Sequence, residues 1–182
     1  MEEEPVHLVD YDPSWPRQFE EERSRLLRVL APWLVGSVEH VGSTAIPNVA
    51  AKPVIDIVAG VRDLESSKPA RVAVESLGYM YFPYRPTEEH WFCKPSPAHR
   101  THHLHLVPFE SPLWTERLVF RDYLRQHPAV AQEYAALKRS LAERYRFDRE
   151  AYTEAKGPFI REVVAAALRG ERSPSGPVTG GW

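Results

Sequence analysis

Apolar positions change rhythm near residue 110. Before it they fall in short runs of β-branched and aromatic residues; after it they recur at helical spacing. Val6, Leu8 and Val9 predict a short first strand over 5–9. Asp12-Pro13-Ser14 offers a capping side chain with proline in the first turn. Phe19, Leu26, Leu27 and Leu30 then form the stripe of a helix that Pro32 ends, with Glu20, Glu21 and Glu22 near its positive end. Strands are predicted over 34–41 and from Val54, whose run Val54, Ile55, Ile57, Val58 is interrupted only by Asp56. Such a run suits a strand buried on both faces. A helix over 69–77 ends at Gly78. Strands follow at 79–82, 90–93 and 101–107, separated by proline-rich turns. Ser111-Pro112, His127-Pro128 and Asp148 start three helices, the last interrupted at Gly157-Pro158 and ending near Gly170.

This layout predicts an α+β fold: a mixed β-sheet with helices packed on one side and a helical C-terminal half. One domain is expected over 1–170, sheet-rich over 1–110 and helical over 111–170. The Pro/Gly/Ser-rich stretch 171–182 reads as a disordered tail.

Composition narrows the function classes. The 182 residues are 43% hydrophobic and 26% charged, as in a globular domain. Net charge is −2, with 23 basic against 25 acidic side chains, so no general grip on nucleic acid is expected. The single cysteine, Cys93, excludes an internal disulfide or a zinc-thiolate cluster. The acidic start, MEEEPVHLVDYD, lacks the apolar core of a signal peptide, and no apolar run reaches membrane-spanning length. A cytoplasmic location without membrane partners is the resulting expectation.

The chemistry concentrates between Gly42 and Val58, GSTAIPNVAAKPVIDIV. A carboxylate on a buried strand is costly unless it is paired or bound to a metal. Gly42 permits close backbone approach, and Ser43 and Thr44 offer N–H and O–H groups to a phosphate. Together these parts suit a nucleoside triphosphate held on a divalent metal, although Asp56 could instead be a hydrogen-bonding residue under the sheet.

Twelve residues separate Ser43 from Asp56, which matches the Gly-Ser and acidic-strand spacing of nucleotidyltransferase-fold proteins. More narrowly, EHVGSTAIPNVAAKPVIDIVAGV resembles the GrpB family, a branch of that superfamily. HHLHLV (102–107), FRDYLRQHP (120–128) and YTEAKGPFI (152–160) also resemble it, so the likeness spans roughly residues 5–168. The resemblance implies a nucleotidyltransferase-like fold, with Mg²⁺ or Mn²⁺ as cofactor and a nucleoside triphosphate as partner. It does not name the acceptor. Where the wider superfamily has a second carboxylate, this chain has Val58, so the usual two-carboxylate clamp is incomplete.

THHLHLV sets His103 and His105 on one face of a strand and His102, Leu104 and Leu106 on the other. In the superfamily a neighbouring strand supplies a third carboxylate, and histidines there would shift the metal preference toward Mn, Fe, Ni or Zn. Alternatively Asp56, His103 and His105 form a general acid/base site, or the histidines simply hydrogen-bond to neighbours. His40 and His99 are further candidates. Arg117, Arg121 and Arg125 recur at i, i+4, i+8 on one helix face. Lys52, Arg100, Lys138 and Lys156 are the other cations a triphosphate could use; Arg121 and Lys156 fall in the quoted GrpB-like motifs, and the resemblance also covers Lys138.

Three functions are consistent with these residues. One is a metal-dependent nucleotidyltransferase with catalytic and metal-binding Asp56, His103 and His105, and nucleotide-binding Gly42, Ser43, Thr44, Lys52, Arg121, Lys138 and Lys156. The others are a non-catalytic nucleotide-binding or regulatory module, and a metal-dependent hydrolase built on the Asp/His set. Both metal readings require Asp56 to converge with His103 or His105.

Overall fold

A computed structural model describes residues 5–170, so the expected tail at 171–182 lies outside the described residues. The elements run α1 (Trp15–Leu30), β1 (Leu34–Val41), a 3₁₀ turn (Ser43–Ala45), β2 (Ile55–Val61), α2 (Ala70–Glu75), β3 (Met80–Phe82), β4 (His90–Pro95), β5 (Arg100–Pro108), α3 (Pro112–Gln126), α4 (Pro128–Arg144), α5 (Arg149–Ala155) and α6 (Gly157–Leu168). The expected α+β class and mixed sheet hold, with five strands ordered β1-β2-β5-β4-β3, but helices cover both faces of the sheet rather than one side, because both faces of β2 and β5 carry apolar side chains to bury. Only β2 and β5 run parallel; every other pair is antiparallel.

The parallel register puts Asp56 beside His103 and Val58 beside His105. Side chains alternate across a strand, so Asp56, Val58, His103, His105 and Val107 share one face. Ile55, Ile57, Ala59, Leu104 and Leu106 share the other and form the main core with Leu26, Leu30, Ala70, Val74 and Phe92. The first-half helices α1 and α2 therefore cover the face opposite Asp56. Glu22 anchors α1 there: it is 2% exposed and accepts a 2.5 Å bond from Lys94 Nζ on β4.

The helical second half covers the Asp56 face. Trp114 of α3 packs on Val41, Val58 and Val107. Ile46 and Val49, from the loop before β2, are buried among Phe120, Leu124, Tyr134, Phe159 and Val163. This loop is the seam between the two halves.

Helix starts follow the capping chemistry in two of the four expected places; Ser14 and His127 make no side-chain cap. Ser111 accepts from the Trp114 N–H, and Asp148 from the Ala151 N–H. The long final helix is split at Gly157-Pro158 into α5 and α6. The expected first strand at 5–9 does not form. Val9 makes an isolated antiparallel bridge to Ala51, and Val6 N–H bonds to the Arg146 carbonyl, so the segment straps the seam rather than joining the sheet. β2 extends past Val58 to Val61, because Gly60 packs closely under Phe109 and continues the strand. β1 pairs with β2 through a register shift between Leu34 and Val38.

Ile57 is fully buried at the centre of the sheet. Ile57→Ala should cost about 2–5 kcal/mol of stability, read as a lower denaturation midpoint in urea with an unchanged slope.

Candidate active site

Gly42 makes the site possible. Its φ of +71° suits glycine, and a Cβ there would lie 2.6 Å from Asp56 Oδ2. The turn can therefore close directly on the carboxylate. Thr44 holds the turn from behind: it is 1% exposed and donates to the Val54 carbonyl at 3.3 Å. Its hydroxyl oxygen lies 2.9 Å from His40 Nε2, and the His40 ring stacks on Phe19. Burial lowers His40 to about 4, against the attraction of Asp56, so the ring is neutral and donates to Thr44.

Asp56 and His103 meet across the parallel pair, with Nδ1 2.8 Å from Oδ1. Burial alone would raise the Asp56 carboxyl. The hydrogen bond from His103 and nearby positive charge, including that of Arg117, outweigh it and hold the group well below the usual carboxylate range. The ionised carboxylate accepts, so His103 Nδ1 donates and Nε2 is the ring's open atom. That Nε2 is buried without a hydrogen-bond partner.

His105 is arranged in the same way by a residue outside every sequence motif. Glu89, 1% exposed, places Oε2 2.5 Å from His105 Nδ1. Arg117 Nη2 lies 3.1 Å from the same nitrogen and 3.6 Å from the carboxylate. Burial and then Arg117 push His105 down, and Glu89 only partly offsets them. Burial would raise Glu89, but His105 and the arginines Arg117 and Arg85 lower it. The stable pair is thus carboxylate and neutral imidazole, with the His105 lone pair on Nε2. Each imidazole is oriented through Nδ1 by its own carboxylate, an arrangement common around metal-binding histidines.

Asp56, His103 and His105 converge: each offers a ligand atom within 4.8 Å of the others. A carboxylate with two imidazoles is a donor set for Mn²⁺, Zn²⁺ or Ni²⁺, less so for Mg²⁺. The buried unpartnered atoms His103 Nε2, Glu89 Oε1 and Arg117 Nε cluster here, as expected where a ligand completes the hydrogen bonding. The residues therefore fit a divalent ion. Val58, in place of a second carboxylate, is fully buried in the Trp114 cluster and offers no ligand.

Three lysines on the seam side lie near enough to Asp56 to feel its charge, Lys138 buried and Lys52 and Lys156 half-buried. Lys138 is 1% exposed, donates to the Ala50 carbonyl and lies 4.8 Å from the centre of the Tyr134 ring. Lys52 and Lys156 lie 5.3 and 4.4 Å from the Tyr152 ring. Burial lowers Lys138 to about 6, Lys52 to about 7 and Lys156 to about 8; mutual repulsion adds to the first two, and Asp56 opposes the trend in all three. Burial likewise raises the Tyr134 hydroxyl to about 12, against a hydrogen bond with Ser43. Ser43 thus joins the turn to α4.

The three arginines of α3 do share one face, and each has its own task. Arg117 serves Glu89 and His105. Arg121 bonds Glu39 at 2.7 Å, the His40 carbonyl at 3.0 Å and Asp122 at 2.8 Å. Arg125 bonds the Ala45 carbonyl at 2.9 Å. Arg121 and Arg125 therefore clamp the β1 end and the turn beside the lysines. His99 lies on the exposed turn before β5 and does not belong to the Asp56 cluster. Nothing local in the sequence marks Glu89: it lies 16 residues from its partner, next to the exposed Glu88.

This architecture, a mixed α+β sheet presenting an acidic strand behind a Gly-Ser turn, is of the nucleotidyltransferase-like kind. The sequence model of the GrpB protein family matches residues 5–166, and the chain belongs to the GrpB family. A UPF0157 protein of Pseudomonas aeruginosa is 38% identical, aligning 93% of this chain with 70% of its own. Glutamate-rich protein GrpB of Alkalihalophilus pseudofirmus is 35% identical over 87% of this chain and 94% of its own. The crystal structure of GrpB from Enterococcus faecalis superposes with a TM-score of 0.81 at 35% identity, covering 90% of this chain and 98% of that one. A dephospho-CoA kinase of Mycolicibacterium paratuberculosis is 30% identical over 90% of this chain, which spans only 46% of that protein. Among the described residues no helix is long and apolar enough to cross a membrane.

The lysines predict a pH signature. In the unfolded chain a lysine keeps its proton to about 10.4; folded, Lys138 loses it near 6. Between those values the unfolded state binds more protons, so stability rises with pH, and the cost of burial is fully present below pH 6. Unfolding free energy should climb from pH 7 to 9, and Lys138→Met should be more stable than wild type at pH 7. The variant should also lose one proton's share of the slope, at most about 1.4 kcal/mol per pH unit, in urea titrations across that range.

Proposed function

We propose that this protein is a metal-dependent enzyme of the nucleotidyltransferase type, acting on a nucleoside triphosphate. One observation carries the reading: three lysines, Lys138 buried and Lys52 and Lys156 half-buried, lie with a closed Gly-Ser turn within electrostatic reach of a carboxylate that also shares a metal-competent cluster with two histidines. A cation cluster of this kind is costly to bury, and an oligophosphate would supply the matching charge. Lys52, Lys138 and Lys156, with Ser43 and the Gly42–Thr44 turn, hold the phosphates in this proposal. Arg121 keeps β1 and the turn in place. A divalent ion on Asp56, His103 and His105 would polarise the phosphoryl oxygens and neutralise developing charge. The similarity to a dephospho-CoA kinase supports a nucleotide-related role.

The buried, apolar Val58 favours a second reading in which the same site binds a nucleotide without turning it over. Pyrophosphate release assays with several triphosphates and Mg²⁺ or Mn²⁺ separate the two. Release that Asp56→Asn reduces at least 100-fold supports the enzyme. Binding without release, unaffected by Asp56→Ala, supports the module. Neither binding nor release sinks both.

Phosphate binding should also take up protons. Lysines with values of about 6 to 8 are partly neutral at pH 8, and an adjacent anion raises them. Calorimetry of triphosphate binding at pH 8, in buffers of different ionisation enthalpy, should show net proton uptake. Lys138→Met and Lys52→Met should each reduce it and weaken binding at least tenfold.

A further inference from the structure

The Asp56 face continues beyond His103 onto β4 and β3, where the covering changes. α3 packs against β1 and β5. Toward the other edge the same face carries aromatic rings instead. Trp91 lies 5.3 Å from the His103 ring and 5.7 Å from Phe82; Tyr84 extends the row at 6.2 Å from Trp91. Phe82 and Trp91 are half-buried, and Tyr84 is 49% exposed. The Arg100 guanidinium stands 5.4 Å from the centre of the Trp91 ring and that of Arg85 5.4 Å from Tyr84. Arg100 is also close enough to Lys52 to lower its pKa, so it links the aromatic row electrostatically to the lysine cluster.

We infer that this row is a stacking shelf for the nucleobase of the ligand whose phosphates the lysines hold; the inference rests on the nucleotide reading above. The shelf begins at a proposed metal ligand and ends in solvent, so a molecule with an anionic end at Asp56 extends its other end onto Trp91. Aromatic rings flanked by guanidinium groups stack on any base and discriminate little between them. An aromatic side chain of a protein partner would gain the same stacking but bring no charge to the seam lysines. A base attached to phosphates satisfies both halves of the surface.

Calorimetry with ATP and with inorganic tripolyphosphate, both in Mg²⁺ buffer, tests the assignment. ATP should bind wild type at least tenfold more tightly than tripolyphosphate. Trp91→Ala should weaken ATP at least tenfold, to the level of tripolyphosphate, and leave tripolyphosphate unchanged; Trp91→Phe should retain most of the ATP affinity. GTP and CTP should follow ATP within a few-fold. Equal wild-type affinity for ATP and tripolyphosphate overturns the shelf while leaving the phosphate site standing. A Trp91→Ala variant that weakens both ligands alike, or neither, also overturns it. Absence of binding by either ligand overturns the shelf together with the nucleotide reading. Circular dichroism melting of both variants separates loss of the shelf from loss of the fold.

Discussion

An ionised carboxylate in the middle of a sheet face dictates much of what surrounds it. Desolvating Asp56 would favour its neutral form, so the fold must surround it with compensating groups. The parallel pairing of β2 and β5 supplies the first, setting His103 in register beside it at 2.8 Å. The turn at Gly42 closes against the other carboxylate oxygen. Lys156 and, in part, Lys52 then add positive charge at longer range. Each partner comes from a different part of the chain, so the site exists only when sheet and helical half are joined.

The arginine ladder of α3 makes that junction. Arg117 reaches the β4 end through Glu89, Arg121 the end of β1, and Arg125 the turn. One helix face thus fixes three segments that are distant in sequence. Spacing at i, i+4, i+8 is usually a solvated stripe with little energetic consequence. Here partial burial and carbonyl or carboxylate acceptors turn the stripe into a frame for the site.

Residues whose roles are local were legible in the sequence. The apolar run around Asp56 marks a buried strand, the alternation in THHLHLV sets His103 and His105 on one face, and Ser111 and Asp148 announce their helices. Residues whose roles depend on distant partners were not. Glu89 has no periodicity to reveal it and matters only because β4 lies next to β5. Val6, Leu8 and Val9 have strand-like composition but find only Ala51 to pair with. Gly60 looks like a strand end in isolation, yet the Phe109 ring occupies the space a side chain would take. The three lysines were visible one by one, but their convergence on Asp56 is a property of the seam.

The sheet also ends in two unlike edges, and this bears on how the protein behaves in a crowded solution. An open strand is a template for another chain. β3 contributes only Met80–Phe82, too short to hold an incoming strand in register. β1 is longer, but the slip between Leu34 and Val38 interrupts its regular ladder. Both free borders therefore discourage edge-to-edge assembly, which lets the protein leave an aromatic face uncovered without inviting fibril-like stacking.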